Sequence, residues 1–112
     1  MSAMLDTALQ AIADPRRRQI LRIVQNSELT AGEIASRFDV TRPAISQHLG
    51  VLTAAGLLNM RRQGTRRLYS ARPEGLAELR EYLDQFWDHS LQRLAQVAEA
   101  EERRINAHGH KT

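Results

Sequence analysis

Apolar residues recur at helical spacing through the first half of the chain. Leu5, Ala8, Leu9 and Ile12 stand at i, i+3, i+4 and i+7, one stripe of a short amphipathic helix. Asp14-Pro15 closes that helix and opens another, because Asp is a favoured N-cap and Pro costs nothing at the first helical position. Ile20, Leu21, Ile23 and Val24 supply the buried side of this second helix, which ends near Asn26-Ser27. Thr30-Ala31-Gly32-Glu33 has the form of a capping box ahead of Ile34, Ala35 and Phe38, predicting a third helix of barely two turns. After Asp39-Val40, Thr41 caps a fourth helix with Pro43 in its first turn. Ile45, Leu49 and Leu52 line its inner face, and Gly56 stops it.

The pattern then changes. Leu57-Leu58-Asn59-Met60 and Arg67-Leu68-Tyr69-Ser70 flank Gln63-Gly64-Thr65, which predicts a β-hairpin closed by a three-residue loop. Helical spacing returns from Pro73 to about Arg104, with Leu76, Leu79, Leu83, Phe86, Leu94 and Val97 on one stripe that Trp87 and Leu91 widen. At 1.5 Å per residue such a helix is about 46 Å long, more than a small domain is wide. Two helices joined by a tight turn, followed by a basic hairpin, outline a winged helix-turn-helix. The expected fold is therefore mainly α with a small β-hairpin, residues 1–104 forming one domain and 105–112 a flexible tail.

Composition narrows the chemistry. A length of 112 residues suits one domain, and 42% hydrophobic with 26% charged residues is ordinary for a globular chain. The absence of cysteine excludes disulfides, thiolate metal sites, a cysteine nucleophile and thiol redox sensing. MSAMLDTALQ has neither the basic nor the apolar region of a signal peptide, and no apolar run is long enough for a bilayer, so a cytoplasmic location without membrane partners is expected. The net charge of +3 conceals a division: residues 1–72 carry eleven Arg against five acids, and residues 73–112 carry five basic groups against eight acids. No Asp or Glu occurs between Asp39 and Glu74, a stretch holding Arg42, Arg61, Arg62, Arg66, Arg67 and Arg72. Ordinary surfaces mix the two signs, so this segregation points to nucleic acid, for which arginine is the fitting side chain.

The run Ala11-Ile12-Ala13-Asp14-Pro15-Arg16-Arg17-Arg18-Gln19-Ile20-Leu21 resembles the opening of the ArsR/SmtB family of bacterial repressors. Leu29-Thr30-Ala31-Gly32-Glu33-Ile34-Ala35, followed by Thr41-Arg42-Pro43-Ala44-Ile45-Ser46-Gln47-His48-Leu49, is similar to that family's helix-turn-helix, and the likeness covers roughly residues 5–72. It implies a dimeric repressor binding a two-fold operator in double-stranded DNA. Metal-sensing members place two cysteines where this chain has Thr30 and Gly32. Another family site needs Asp-x-His and His-x-x-Glu on the last helix, where this chain has only adjacent Asp88-His89. No metal regulation and no cofactor are expected.

With Ile45, Leu49 and Leu52 inward, the fourth helix (about 42–55) turns Pro43, Gln47, Gly50 and Ala54 outward, with Ser46 to one side. Thr41 and Arg42 sit at its start, where recognition helices meet DNA. Arg42 suits guanine and Gln47 adenine, while Ser46 suits a base or a phosphate. His48 falls between faces, as a packing residue or a phosphate contact. In the wing (about 57–71), strand alternation lets roughly half of Arg61, Arg62, Arg66 and Arg67 face DNA, without fixing which. Arg16, Arg17 and Arg18 open the second helix against its dipole, which calls for an internal ion pair or an external anion.

The long helix argues for a homodimer. One protomer cannot bury the stripe Leu76, Leu79, Leu83, Phe86, Trp87, Leu91 and Leu94 together with the Leu5, Leu9 and Ile12 face, so first and last helices are expected to pair across a two-fold axis. Phe86-Trp87 could instead line a pocket for an organic effector, although aromatics at this spacing pack more often than they bind. Catalysis finds no support, since there is no phosphate loop, nucleophile triad or carboxylate pair in a suggestive context. The rival to DNA binding is a winged-helix module whose basic face serves a protein partner.

Overall fold

The computed structural model describes residues 3–109, apart from the side chains at 87–90 and 107–109. Seven elements follow in order: α1 (Ala3–Ile12), α2 (Pro15–Ile23), α3 (Ala31–Ala35), α4 (Arg42–Ala54), β1 (Leu58–Gln63), β2 (Arg66–Ala71) and α5 (Pro73–Gly109). The chain divides into two compact units, Met1–Leu79 and Arg80–Thr112.

In the first unit the N-terminal caps of α2, α3 and α4 are those the sequence calls for. Asp14 accepts from the amides of Arg16 and Arg17 at 2.8 and 3.3 Å, with Pro15 opening α2. Thr30 and Glu33 form a reciprocal capping box on α3, and Thr41 accepts from the Ala44 amide at 3.3 Å on α4. These caps matter because three short helices cannot hold their ends by length alone. Ile20, Val24, Ile34, Ile45, Leu49, Leu52 and Leu57 lose all exposure in one core, and Leu5, Leu9, Ile12 and Leu76 pack half-buried against it.

The hairpin is tighter than its sequence suggests. Gln63 pairs with Arg66, leaving a two-residue loop, Gly64-Thr65, in place of the expected three. Gly64 takes φ +64° while Thr65 stays at negative φ, the pattern of a type II′ turn, whose twist matches paired strands. Leu29 docks onto the hairpin as a third short rung, exchanging both backbone hydrogen bonds with Tyr69 at 3.0 and 2.8 Å.

Among the arginines opening α2, Arg17 has an acidic neighbour of the expected kind, Asp14 Oδ2 at 4.0 Å from its Nη1, but the shorter contacts of Arg17 and Arg18 go to carbonyls. Arg17 Nε donates to the Ala11 carbonyl at 2.6 Å and its Nη2 to that of Gln10 at 3.3 Å; Arg18 donates to the carbonyls of Ile12 and Ala13 at 2.7 and 3.1 Å. They cap the C-terminal end of α1, where cations complement the dipole. Arg16 lies over the Phe38 ring at 5.2 Å.

In the second unit α5 runs beyond Arg104, where the periodicity fades, to Gly109. The tail expected at 105–112 lies partly outside the described residues. Leu83, Phe86, Leu91, Leu94, Val97 and Ile105 are all exposed, Phe86 meeting Tyr82 edge-on at 5.3 Å between ring centres. The side chains of Trp87, Asp88 and His89 lie outside the described residues. Among those described, no helix is long and apolar enough to cross a membrane.

Candidate nucleic-acid interface

α4 presents the face its sequence foretells. Ile45, Leu49 and Leu52 anchor it, while Thr41, Arg42, Pro43, Ser46, Gln47 and Gly50 stand exposed. A Cβ added to Gly50 would meet nothing within 4 Å, so the helix has an open notch beside Gln47. His48 behaves differently. It is half-buried, with Nδ1 3.4 Å from Arg17 Nη1, which ties α4 to α2.

A cleft of about 650 Å³ separates α4 from the wing. Arg42 and Ser46 line one side, Arg66, Arg67 and Tyr69 another, and Thr30 with Glu33 its floor near α3. Thr30 and Gly32, the positions at which the resemblance would place metal-binding cysteines, are occupied otherwise. Thr30 caps α3, and the Arg42 guanidinium lies 3.8 Å from where a Gly32 Cβ would sit. Among the described residues no group of three His, Cys, Asp or Glu could hold a metal ion.

The four wing arginines fall into two kinds. Arg61 grips Glu28 through two contacts, Nε to Oε2 at 2.6 Å and Nη2 to Oε1 at 2.7 Å. That hydrogen-bonded pairing lowers the Glu28 pKa and raises that of Arg61. Arg66 Nη2 reaches Glu33 Oε1 at 3.5 Å. The Glu33 carboxyl is held below its usual range mainly by the Thr30 amide and hydroxyl, with Arg66 and Arg37 adding to this. Arg62 and Arg67 face each other across the strands, and neither they nor Arg42 has an acidic partner among the described residues. Sequence reasoning missed Glu28, because it sees the wing as acid-free and the pairing spans 33 positions.

Of the expected dimer residues, Leu79 is 6% exposed within the first unit's own core, and Leu5, Leu9, Ile12 and Leu76 are half-buried against it. Leu83, Phe86, Leu91 and Leu94 lie open in the second unit, at 44 to 64% exposure.

A buried core to which every helix contributes, a capped helix with one face buried and the other exposed, and a two-stranded arginine-rich wing define a winged helix-turn-helix DNA-binding protein. A family model described as a helix-turn-helix domain matches residues 12–61. The HTH-type transcriptional regulator Rv2034 of Mycobacterium tuberculosis is 47% identical over 96 residues, covering 86% of this chain and 90% of that protein. The crystal structure of a possible transcriptional regulator for arsenical resistance superposes with a TM-score of 0.69 at 41% identity, over 86% of this chain and 96% of that one. The homodimeric winged helix-turn-helix DNA-binding domain of a possible ArsR-family regulator from Mycobacterium bovis gives a TM-score of 0.63 at 29% identity, over 76 and 79% of the two chains. The chain belongs to the ArsR/SmtB family of winged helix-turn-helix transcriptional regulators, and it is a DNA-binding regulator.

Proposed function

We propose that the chain represses transcription as a homodimer seated on a two-fold operator, with residues 1–104 working as one winged-helix domain. α4 enters the major groove, where Arg42, Ser46 and Gln47 meet base edges and Thr41 the backbone beside them. Those wing arginines that face the duplex hold phosphate or enter the minor groove. His48, turned toward Arg17, orients α4 instead of reading sequence. Pairing through α1 and the open stripe of α5 sets two recognition helices on half-sites about 34–36 Å apart. Neither catalysis nor a metal effector belongs to this reading, and the cytoplasm is its compartment.

The observation that carries it is the convergence of Arg42 and Arg67, two cations without acidic partners among the described residues, on one cleft beside the exposed face of α4. Several unpaired guanidinium groups on one face repel one another until an external polyanion neutralises them. The homodimeric Mycobacterium bovis domain supports the assembly, and the resemblance to a repressor family supports repression. The test is footprinting on DNA flanking the chain's own gene, repeated across salt concentrations. A two-fold protected site that fades steeply with salt is expected. Protection without two-fold character, or insensitive to salt, contradicts the proposal.

A further inference from the structure

The register of the hairpin distinguishes arginines that composition treats as equal. Arg61 lies opposite Leu68, which is 6% exposed, and on that face its guanidinium is locked two-pronged onto Glu28. Arg62 lies opposite Arg67 on the other face, the face that also carries Tyr69. Like charges directly across a strand pair destabilise the hairpin, and no acidic side chain among the described residues relieves this pair. Arg67 and Tyr69 line the same cleft as Arg42 and Ser46 of α4. One face of the wing is therefore internally neutralised and the other is left in want of an anion.

We propose that Arg62 and Arg67 form the phosphate clamp of the wing, and that Arg61 does not touch DNA but acts with Glu28 as a positioning pair. Glu28 immediately precedes Leu29, whose backbone pairs with Tyr69 in β2. The Glu28–Arg61 contact thus ties β1 to the same segment that holds β2 by main-chain bonds, and it fixes the angle at which the Arg62/Arg67 face meets the duplex. The two-pronged geometry suits this role, because a carboxylate gripped at both oxygens fixes orientation as well as distance. This assignment rests on the reading of the face as DNA-binding.

The probe is a mixed-sequence DNA duplex of about three helical turns, titrated with the whole chain over a series of salt concentrations. R62Q and R67Q are each expected to weaken binding and to lower the slope of log affinity against log salt by about one unit. R61Q and E28Q are expected to weaken binding several-fold while keeping the wild-type slope, and the swapped E28R/R61E chain to regain affinity lost in R61E. Thermal melts verify that each variant is folded. A slope loss in R61Q equal to that in R62Q overturns the assignment. So does tighter binding with a steeper slope in E28Q, which makes Glu28 a mask over a DNA-contacting Arg61. A wild-type chain whose duplex binding ignores salt defeats the DNA-face reading itself, a result distinct from either.

Discussion

The carbonyl of Gly56 occupies the space where a Cβ on Gly75 would have to stand, so the end of α4 and the first turn of α5 touch backbone to backbone. Gly56 reaches this position through φ +77°, and its carbonyl also accepts from Arg72 Nη1 at 3.3 Å. Two effects compete in Gly75→Ala. Alanine favours a helix by about 1 kcal/mol over glycine, but the new methyl meets main chain that cannot rotate away. Forcing extra volume into packed structure costs roughly 1–3 kcal/mol. The collision wins, and the thermal midpoint is expected to fall by several degrees. A variant with an unchanged or higher midpoint shows that the two segments part easily.

Acid should loosen the same unit. Partial burial works against ionisation of Asp14, yet the Arg16 and Arg17 amides and the Arg17 charge together hold its carboxyl below the usual value. Glu28, through Arg61, and Glu33, through Thr30, are depressed as well. A carboxyl that is more acidic folded than unfolded stabilises the fold while ionised. That contribution is whole at neutral pH and is lost below about pH 4, as the pH falls through the folded values. Asp14→Asn keeps a competent cap without the titration. Its melting temperature should match wild type near pH 7 less a small loss, and decline less steeply on acidification. Parallel declines in the two proteins dismiss Asp14 as a contributor.

What the sequence made legible follows from the range of each interaction. The caps at Asp14, Thr30 and Thr41 act over two or three residues, and the Ile45/Leu49/Leu52 stripe is a property of one helix, so pattern alone reveals them. The exposed set Arg42, Ser46 and Gln47 follows from that stripe by geometry. Glu28–Arg61, the closeness of Gly56 to Gly75 and the turn of His48 toward Arg17 depend on how elements meet, and no local spacing encodes them. The carbonyl partners of Arg17 and Arg18 illustrate the difference. A misplaced charge at the start of α2 was visible, but its remedy is the neighbouring helix's C-terminus, which becomes visible only when α1 folds back against it.

Base reading and backbone holding should separate by mutation. Gln47 is exposed at the outer face of α4 beside the open notch at Gly50. Gln47→Ala is expected to relax preference at one operator position, costing roughly 1–3 kcal/mol there and little on unrelated duplexes. Removing Arg66 and Arg67 together, both on the cleft, should weaken all duplexes alike and flatten the salt dependence. Competition binding with operator variants reads the first effect and salt titration the second. If the two changes leave the same signature, α4 and the wing do not divide the work in this way.

The apolar stripe of α5 gives the most direct test of assembly. Leu83, Phe86, Leu91, Leu94 and Val97 stay between 44 and 66% exposed, an arrangement unfavourable in water for five large side chains on one helix. Leu79 is already consumed by the core of the first unit, so Leu83 is the first stripe position with substantial surface left for a partner. Leu83→Glu places a charge there without removing any side chain from that core. The expected outcome is a monomer by size-exclusion chromatography with light scattering, still folded by circular dichroism. Its operator affinity should fall sharply, because the energetic link between half-sites is gone. A dimer that survives the substitution takes this part of α5 out of the interface and leaves α1 as the remaining candidate.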